Sequence, residues 1–125
     1  MARQTISTQE APAAIGPYSQ AVQTGNLIFT SGQIPIDAKR GGIPAGIKAQ
    51  AHLALGNLRA VLKAAGADMH SIVKTTVYLT DMGDFAAFNA VYATYFDSDY
   101  PARSCVQAAR LPKDVLVEIE AVAAR

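Results

Sequence analysis

Three features of the sequence predict an α+β fold. Short apolar runs broken by turn residues fill the first third, two stretches in the middle place apolar residues at steps of three and four, and two alternating runs close the chain. At 125 residues, 50% hydrophobic and 17% charged, the chain fits one domain spanning residues 1–125. A domain of this size removes roughly two-thirds of its unfolded surface from water, so a core is available without disulfides.

Residues 3–7 read as a short strand, and residues 11–17, with two prolines and a glycine, as an ordered turn that ends at Tyr18. Residues 19–23 and 27–31 read as two strands, and Thr24-Gly25-Asn26 between them predicts a hairpin by spacing and composition. Two prolines, Gly41-Gly42 and Lys39-Arg40 mark residues 35–46 as a surface loop. From Ile47 the period changes: Ile47, Ala51, Leu55, Leu58 and Leu62 define one face of a helix, and Gly66 stops it. Asp68 can cap one further turn. Over residues 72–80, Val73, Thr75, Val77 and Leu79 alternate with Lys74, Thr76 and Tyr78, which predicts a strand. Asp81 or Asp84 can cap a second helix whose stripe runs from Phe85 and Phe88 through Val91 and Tyr92 to Tyr95 and Phe96, ending before Tyr100-Pro101. Strands at 102–107 and 115–122 follow, joined by a loop holding Leu111-Pro112-Lys113-Asp114. The order is β-β-β-α-β-α-β-β.

Two helices can cover one face of a sheet. Leu27-Ile28-Phe29 and Val115-Leu116-Val117 nevertheless put apolar side chains on both faces of their strands. In so short a chain the available cover is a second copy, so a homo-oligomer with sheet surface at the interface is expected.

Eleven Lys and Arg against ten Asp and Glu give a formal net charge of +1, with no block of like charge. Nucleic-acid and anionic-membrane binding are therefore not expected, and no apolar run approaches the roughly 20 residues of a membrane span. The lone Cys105 cannot form an internal disulfide, and the opening MARQTISTQE is too polar for a signal peptide, so a cytoplasmic setting is expected. Neither His52 nor His70 has a second ligand three or four residues away, so no metal site is expected and both read as surface residues. There is no G-x-G-x-x-G, P-loop or G-x-S-x-G, which leaves chemistry without a cofactor.

Alternation puts Arg103 and Cys105 on one face of their strand, and Glu118 and Glu120 opposite Val117, Ile119 and Ala121 on theirs. If those two strands pair, arginine and glutamate bracket a small site, where a guanidinium matches a carboxylate and a side-chain carboxylate orients a water. Spacing alone favours a plainer reading, in which Arg103 pairs with Glu118 or Glu120 at a solvated edge. Cys105 reads more simply as filler than as a nucleophile, and Tyr18, Tyr92 and Tyr95 as packing residues.

The blocks at residues 13–21 (AAIGPYSQA), 30–35 (TSGQIP), 72–77 (IVKTTV), 101–106 (PARSCV), 111–114 (LPKD) and 117–123 (VEIEAVA) closely resemble the RidA (YjgF/YER057c/UK114) family, in order and over nearly the whole chain. The resemblance implies a chorismate-mutase-like α+β fold with two helices on one face of a mixed sheet, assembled as a homotrimer around a central barrel. It also implies a deaminase that hydrolyses 2-aminoacrylate and 2-iminopropanoate to 2-oxo acids and ammonia without cofactor or metal. By the same resemblance Arg103 holds the substrate carboxylate, Glu118 positions the water, and Glu120 is structural. Tyr18 closes over the substrate, Ser31 and Gly32 line the pocket, Cys105 helps bind the imine through its backbone, and Asn89 lies near the site. The family's clefts lie between subunits. The alternative is a regulatory module that binds 2-oxo acids in the same cleft without turnover; a ribonuclease role, attached to some relatives, fits this charge pattern least.

Overall fold

The computed structural model describes residues 2–125. Its sheet begins with β1 (Arg3–Ile6), β2 (Ala21–Thr24) and β3 (Leu27–Thr30). Gly25, at φ 57°, turns the β2–β3 hairpin as the sequence predicts, although β2 starts two residues later than the apolar pattern indicates. The first helix, α1 (Ile47–Ala64), buries Ala51, Ala54, Leu55, Leu58, Val61 and Leu62. It stops where predicted: Gly66 takes φ 78°, its N–H donates to Lys63 O (3.0 Å), and the Ala67 N–H donates to Leu62 O (2.9 Å). Asp68 caps the next turn by accepting from the His70 N–H at 2.9 Å.

Strand β4 (Ile72–Leu79) departs from simple alternation. A register shift between Ile72 and Lys74 changes the phase by one residue, so Ile72 enters the core and Val73, expected inward, is 49% exposed. Asp81 caps a short 3₁₀ turn by accepting from the Gly83 N–H (2.8 Å), and α2 (Phe85–Ala93) follows without a side-chain cap. This helix is shorter than its apolar stripe. After Ala93 the N–H groups of Thr94, Tyr95 and Phe96 reach back three residues instead of four, so Tyr95 and Phe96 sit in a tightened turn. Strands β5 (Ala102–Gln107) and β6 (Val117–Ala124) complete the sheet. The last strand starts two residues later than expected, because the Val115 N–H closes a turn onto Pro112 O (3.3 Å).

The strand order is β1-β2-β3-β6-β4-β5, antiparallel except for the parallel pair β4–β5. Thus β5 and β6 do not pair; β4 lies between them. The two helices lie on one face of the sheet, where Thr75, Val77 and Leu79 of β4 and Val117, Ile119, Ala121 and Ala123 of β6 are buried. The other face carries no helix among the described residues. It carries Glu118, Glu120, Thr76 and Tyr78, and leaves Phe29 44% and Val106 46% exposed.

Candidate functional site

Arg103 projects from β5 on the helix-covered face, beside its ladder partner Thr75. Helix α2 presents three side chains to it. Asn89 Oδ1 accepts from Arg103 Nη1 at 2.8 Å, and the guanidinium carbon lies 4.9 Å from the Tyr92 ring centre and 5.4 Å from that of Phe85. Among the described residues no carboxylate comes within ion-pair distance of Arg103, so the edge pair with Glu118 or Glu120 does not form. The guanidinium instead lines a pocket of about 330 Å³ with Asn89, Tyr92, Ala93, Tyr100 and Pro101. Cys105 follows on the same face, half-buried against the core; burial pushes its thiol pKa up, against the opposing pull of Arg103.

Glu118 projects from β6 on the uncovered face. The segment after β3 is drawn to it by a two-way bridge, Gln33 N–H to Ile119 O (2.7 Å) and Ile119 N–H to Gln33 O (3.1 Å), which lays Gly32 against the Glu118 side chain. A Cβ at Gly32 would stand 2.7 Å from Glu118 Cδ, so only glycine leaves the carboxylate its place. Burial first, and then the neighbouring Glu120, push the Glu118 carboxyl pKa above its usual range. Glu120 accepts from the Tyr78 hydroxyl at 3.3 Å.

Tyr18 joins this second group through its loop. The buried Gln20 amide donates to Pro12 O (2.8 Å) and Thr8 O (3.1 Å) and accepts from the Thr8 N–H (2.7 Å), fixing the turn that precedes Tyr18. Ser31 donates its hydroxyl to Ser19 O at 2.6 Å and so ties the Tyr18 loop to Gly32, leaving its hydroxyl oxygen able to accept. Tyr18, 49% exposed, and Gly32 wall a cleft of about 410 Å³ with Ile15, Ile34, Ile36 and Ile43, and Lys113 at its rim.

The expected site residues therefore fall into two groups, Arg103, Asn89 and Cys105 on one face and Tyr18, Ser31, Gly32 and Glu118 on the other. Arg103 and Glu118 are two strands and three rows apart, a Cα separation of roughly 14 Å at about 4.8 Å per strand and 3.3 Å per residue. They point away from each other and cannot serve one small molecule within a single chain. The part that sequence reasoning assigned only to packing is the aromatic pair Phe85 and Tyr92. Its signal was present: with Asn89 these residues fall at i, i+4 and i+7 of α2.

The two histidines do not converge on either group. His52 contacts Tyr95 at 3.1 Å, and His70 is held between Asp68 (3.1 Å) and Asp97 (2.8 Å) at the surface. Among the described residues no three His, Cys, Asp or Glu side chains are placed to hold a metal, and no helix is long and apolar enough to cross a membrane.

Residues 8–125 match the family model described as Endoribonuclease L-PSP. The 2-iminobutanoate/2-iminopropanoate deaminase of Escherichia coli K12 is 55% identical over 124 residues, covering 97% of each chain. A RutC family protein of Haemophilus influenzae is 54% identical, covering 100% of this chain and 99% of its own. Among solved structures, E. coli TdcF with bound serine superposes with a TM-score of 0.95 at 54% identity over 98% of each chain. RidA from a Psychrobacter species also gives 0.95, at 45% identity over 98% and 99%. A family model that spans nearly the whole chain, together with relatives above 50% identity, shows that this chain belongs to the RidA family, the group described as Endoribonuclease L-PSP.

Proposed function

We propose that the chain hydrolyses 2-imino acids such as 2-iminobutanoate and 2-iminopropanoate, and their enamine tautomers, to 2-oxo acids and ammonia. The observation that carries this reading is Arg103: a guanidinium with no carboxylate partner among the described residues, held at a pocket wall by Asn89 and two aromatic rings. Such a group recognises a short acid through paired N–H donors. The names of the relatives supply the substrate class.

In the proposed reaction Arg103 anchors the carboxylate and Glu118 aligns a water with the imine carbon. The water oxygen bonds to that carbon and one of its protons passes by way of Glu118 to the nitrogen; the carbinolamine's hydroxyl proton then follows the same route to the nitrogen, the C–N bond breaks, and ketone and ammonia leave. The step is redox-neutral. Imines already hydrolyse in water, so positioning supplies most of what is needed, a few kcal/mol off the barrier. Tyr18 closes over the substrate from the Gly32 side, and the Cys105 backbone lies beside the imine. Glu120, bonded to Tyr78, is structural.

Because the two groups lie on opposite faces of one sheet, the proposed reaction centre takes Arg103 from one copy and Glu118 from another. A homotrimer with the uncovered faces turned inward as a barrel provides this, and it covers Phe29 and Val106. A ribonuclease reading gains nothing from a chain of net charge +1.

The test couples the protein to a threonine or serine dehydratase that releases the imine and follows 2-oxo acid. Release faster than in buffer is expected; equal rates overturn the proposal, and binding of 2-oxobutanoate without acceleration makes the protein a sensor of that acid. The acceleration requires the Glu118 carboxylate, so it fades as pH falls, and it does so at a higher pH than an ordinary glutamate would give. The same raised pKa means that the folded state holds this proton more tightly than the unfolded chain, so the ionised form costs stability at neutral pH. Glu118→Gln is expected to raise Tm at pH 7 while abolishing turnover, as thermal melts and the coupled assay will show.

A further inference from the structure

We propose that Phe85 and Tyr92 are positioning residues for Arg103, forming with Asn89 a three-sided seat on α2 that fixes the guanidinium and leaves one edge free for a carboxylate. This rests on the deaminase reading and deepens it. The seat is a property of one helix face. Phe85, Asn89 and Tyr92 stand at i, i+4 and i+7, and seven residues of helix rise about 10.5 Å. A span of that length lets both rings reach the guanidinium, whose carbon lies 5.4 Å and 4.9 Å from their centres.

The seat is also anchored to the strand it serves. Tyr92 is 5% exposed, and its hydroxyl bonds to the Thr75 hydroxyl at 2.8 Å; Thr75 is fully buried and is Arg103's own partner in the β4–β5 ladder. The tilted Phe96 ring packs against Tyr92, 4.8 Å between ring centres. Of the five guanidinium N–H donors, Asn89 takes one, while the rings attract the cation through their faces without using donors. An arginine free in solution loses rotamer freedom when it grips an acid. Here that loss is largely taken at folding, so substrate meets a guanidinium already in place.

Calorimetry with 2-oxobutanoate, and with its uncharged amide as control, tests the seat. Phe85→Leu keeps apolar bulk and removes the ring; it is expected to weaken 2-oxobutanoate roughly five- to thirty-fold and leave the amide nearly unchanged. In the coupled assay the larger share of the loss falls on KM. Tyr92→Leu is expected to behave alike, and Tyr92→Phe, which keeps the ring, to recover most of the affinity. If melts show that Phe85→Leu folds poorly, Phe85→Met replaces it. Wild-type affinity in the folded Phe85 variant, or an equal loss for acid and amide, overturns the seat. Equal 2-oxobutanoate binding by wild type and Arg103→Ala overturns the deaminase reading itself, and the seat with it.

Discussion

Arg103→Ala is expected to lower kcat/KM for 2-iminobutanoate by roughly 100- to 1,000-fold, the loss of a charge-assisted, two-donor grip on a carboxylate. Stability should fall only modestly, by the loss of one hydrogen bond to Asn89 and of the contacts with the Phe85 and Tyr92 rings. Arg103 makes no ion pair among the described residues and lines an open pocket, so its removal leaves neither an orphaned buried charge nor a closed cavity. Arg103→Lys should recover little, since an ammonium has no planar fork and does not stack between Phe85 and Tyr92 as a guanidinium does. Initial rates with the dehydratase, corrected for spontaneous hydrolysis, measure the effect; an Arg103→Ala enzyme within a few-fold of wild type contradicts the proposed anchor.

Gly32→Ala is the second large effect. Gly32 does not have a left-handed backbone, so alanine is conformationally permitted there, and the whole consequence is steric. The added methyl would stand 2.7 Å from Glu118 Cδ and 3.0 Å from Cγ, so the carboxylate must swing away. Turnover is expected to fall by about 100-fold, in the range for losing a positioned acid–base group. Gly42→Ala, where the new methyl meets nothing within 4 Å, is the control and should be neutral. A double-mutant cycle locates the cause: once Glu118 is alanine, adding Gly32→Ala should cost little more. Additive losses would assign Gly32 a role separate from Glu118.

Much of this was legible in the sequence, for physical reasons that differ by element. Helix α1 shows because a long amphipathic period and a left-handed Gly66 are local signals. The hairpin at Gly25 shows for the same reason. What stays hidden is non-local. Strand order decides that β4 separates Arg103 from Glu118, and nothing in either strand's own alternation reports its neighbour. The bulge at Val73 is equally silent, because an alternating run reads the same in either phase until Ile72 and Lys74 are matched to Ala123 and Val122. Gly32 illustrates a third case. Its backbone is ordinary, and the need for glycine appears only when Gln33 bridges to Ile119 and brings Glu118 overhead.

Subunit complementation tests most directly whether one reaction centre draws Arg103 and Glu118 from different copies of the chain. Arg103→Ala and Glu118→Ala chains, each inactive alone, are co-expressed with different tags, and the mixed oligomers are purified and assayed. In every mixed trimer one of the three shared sites keeps both native residues, so up to about a third of wild-type activity is expected. Mixed oligomers as inactive as either parent would place both residues of the site in one chain and contradict the account.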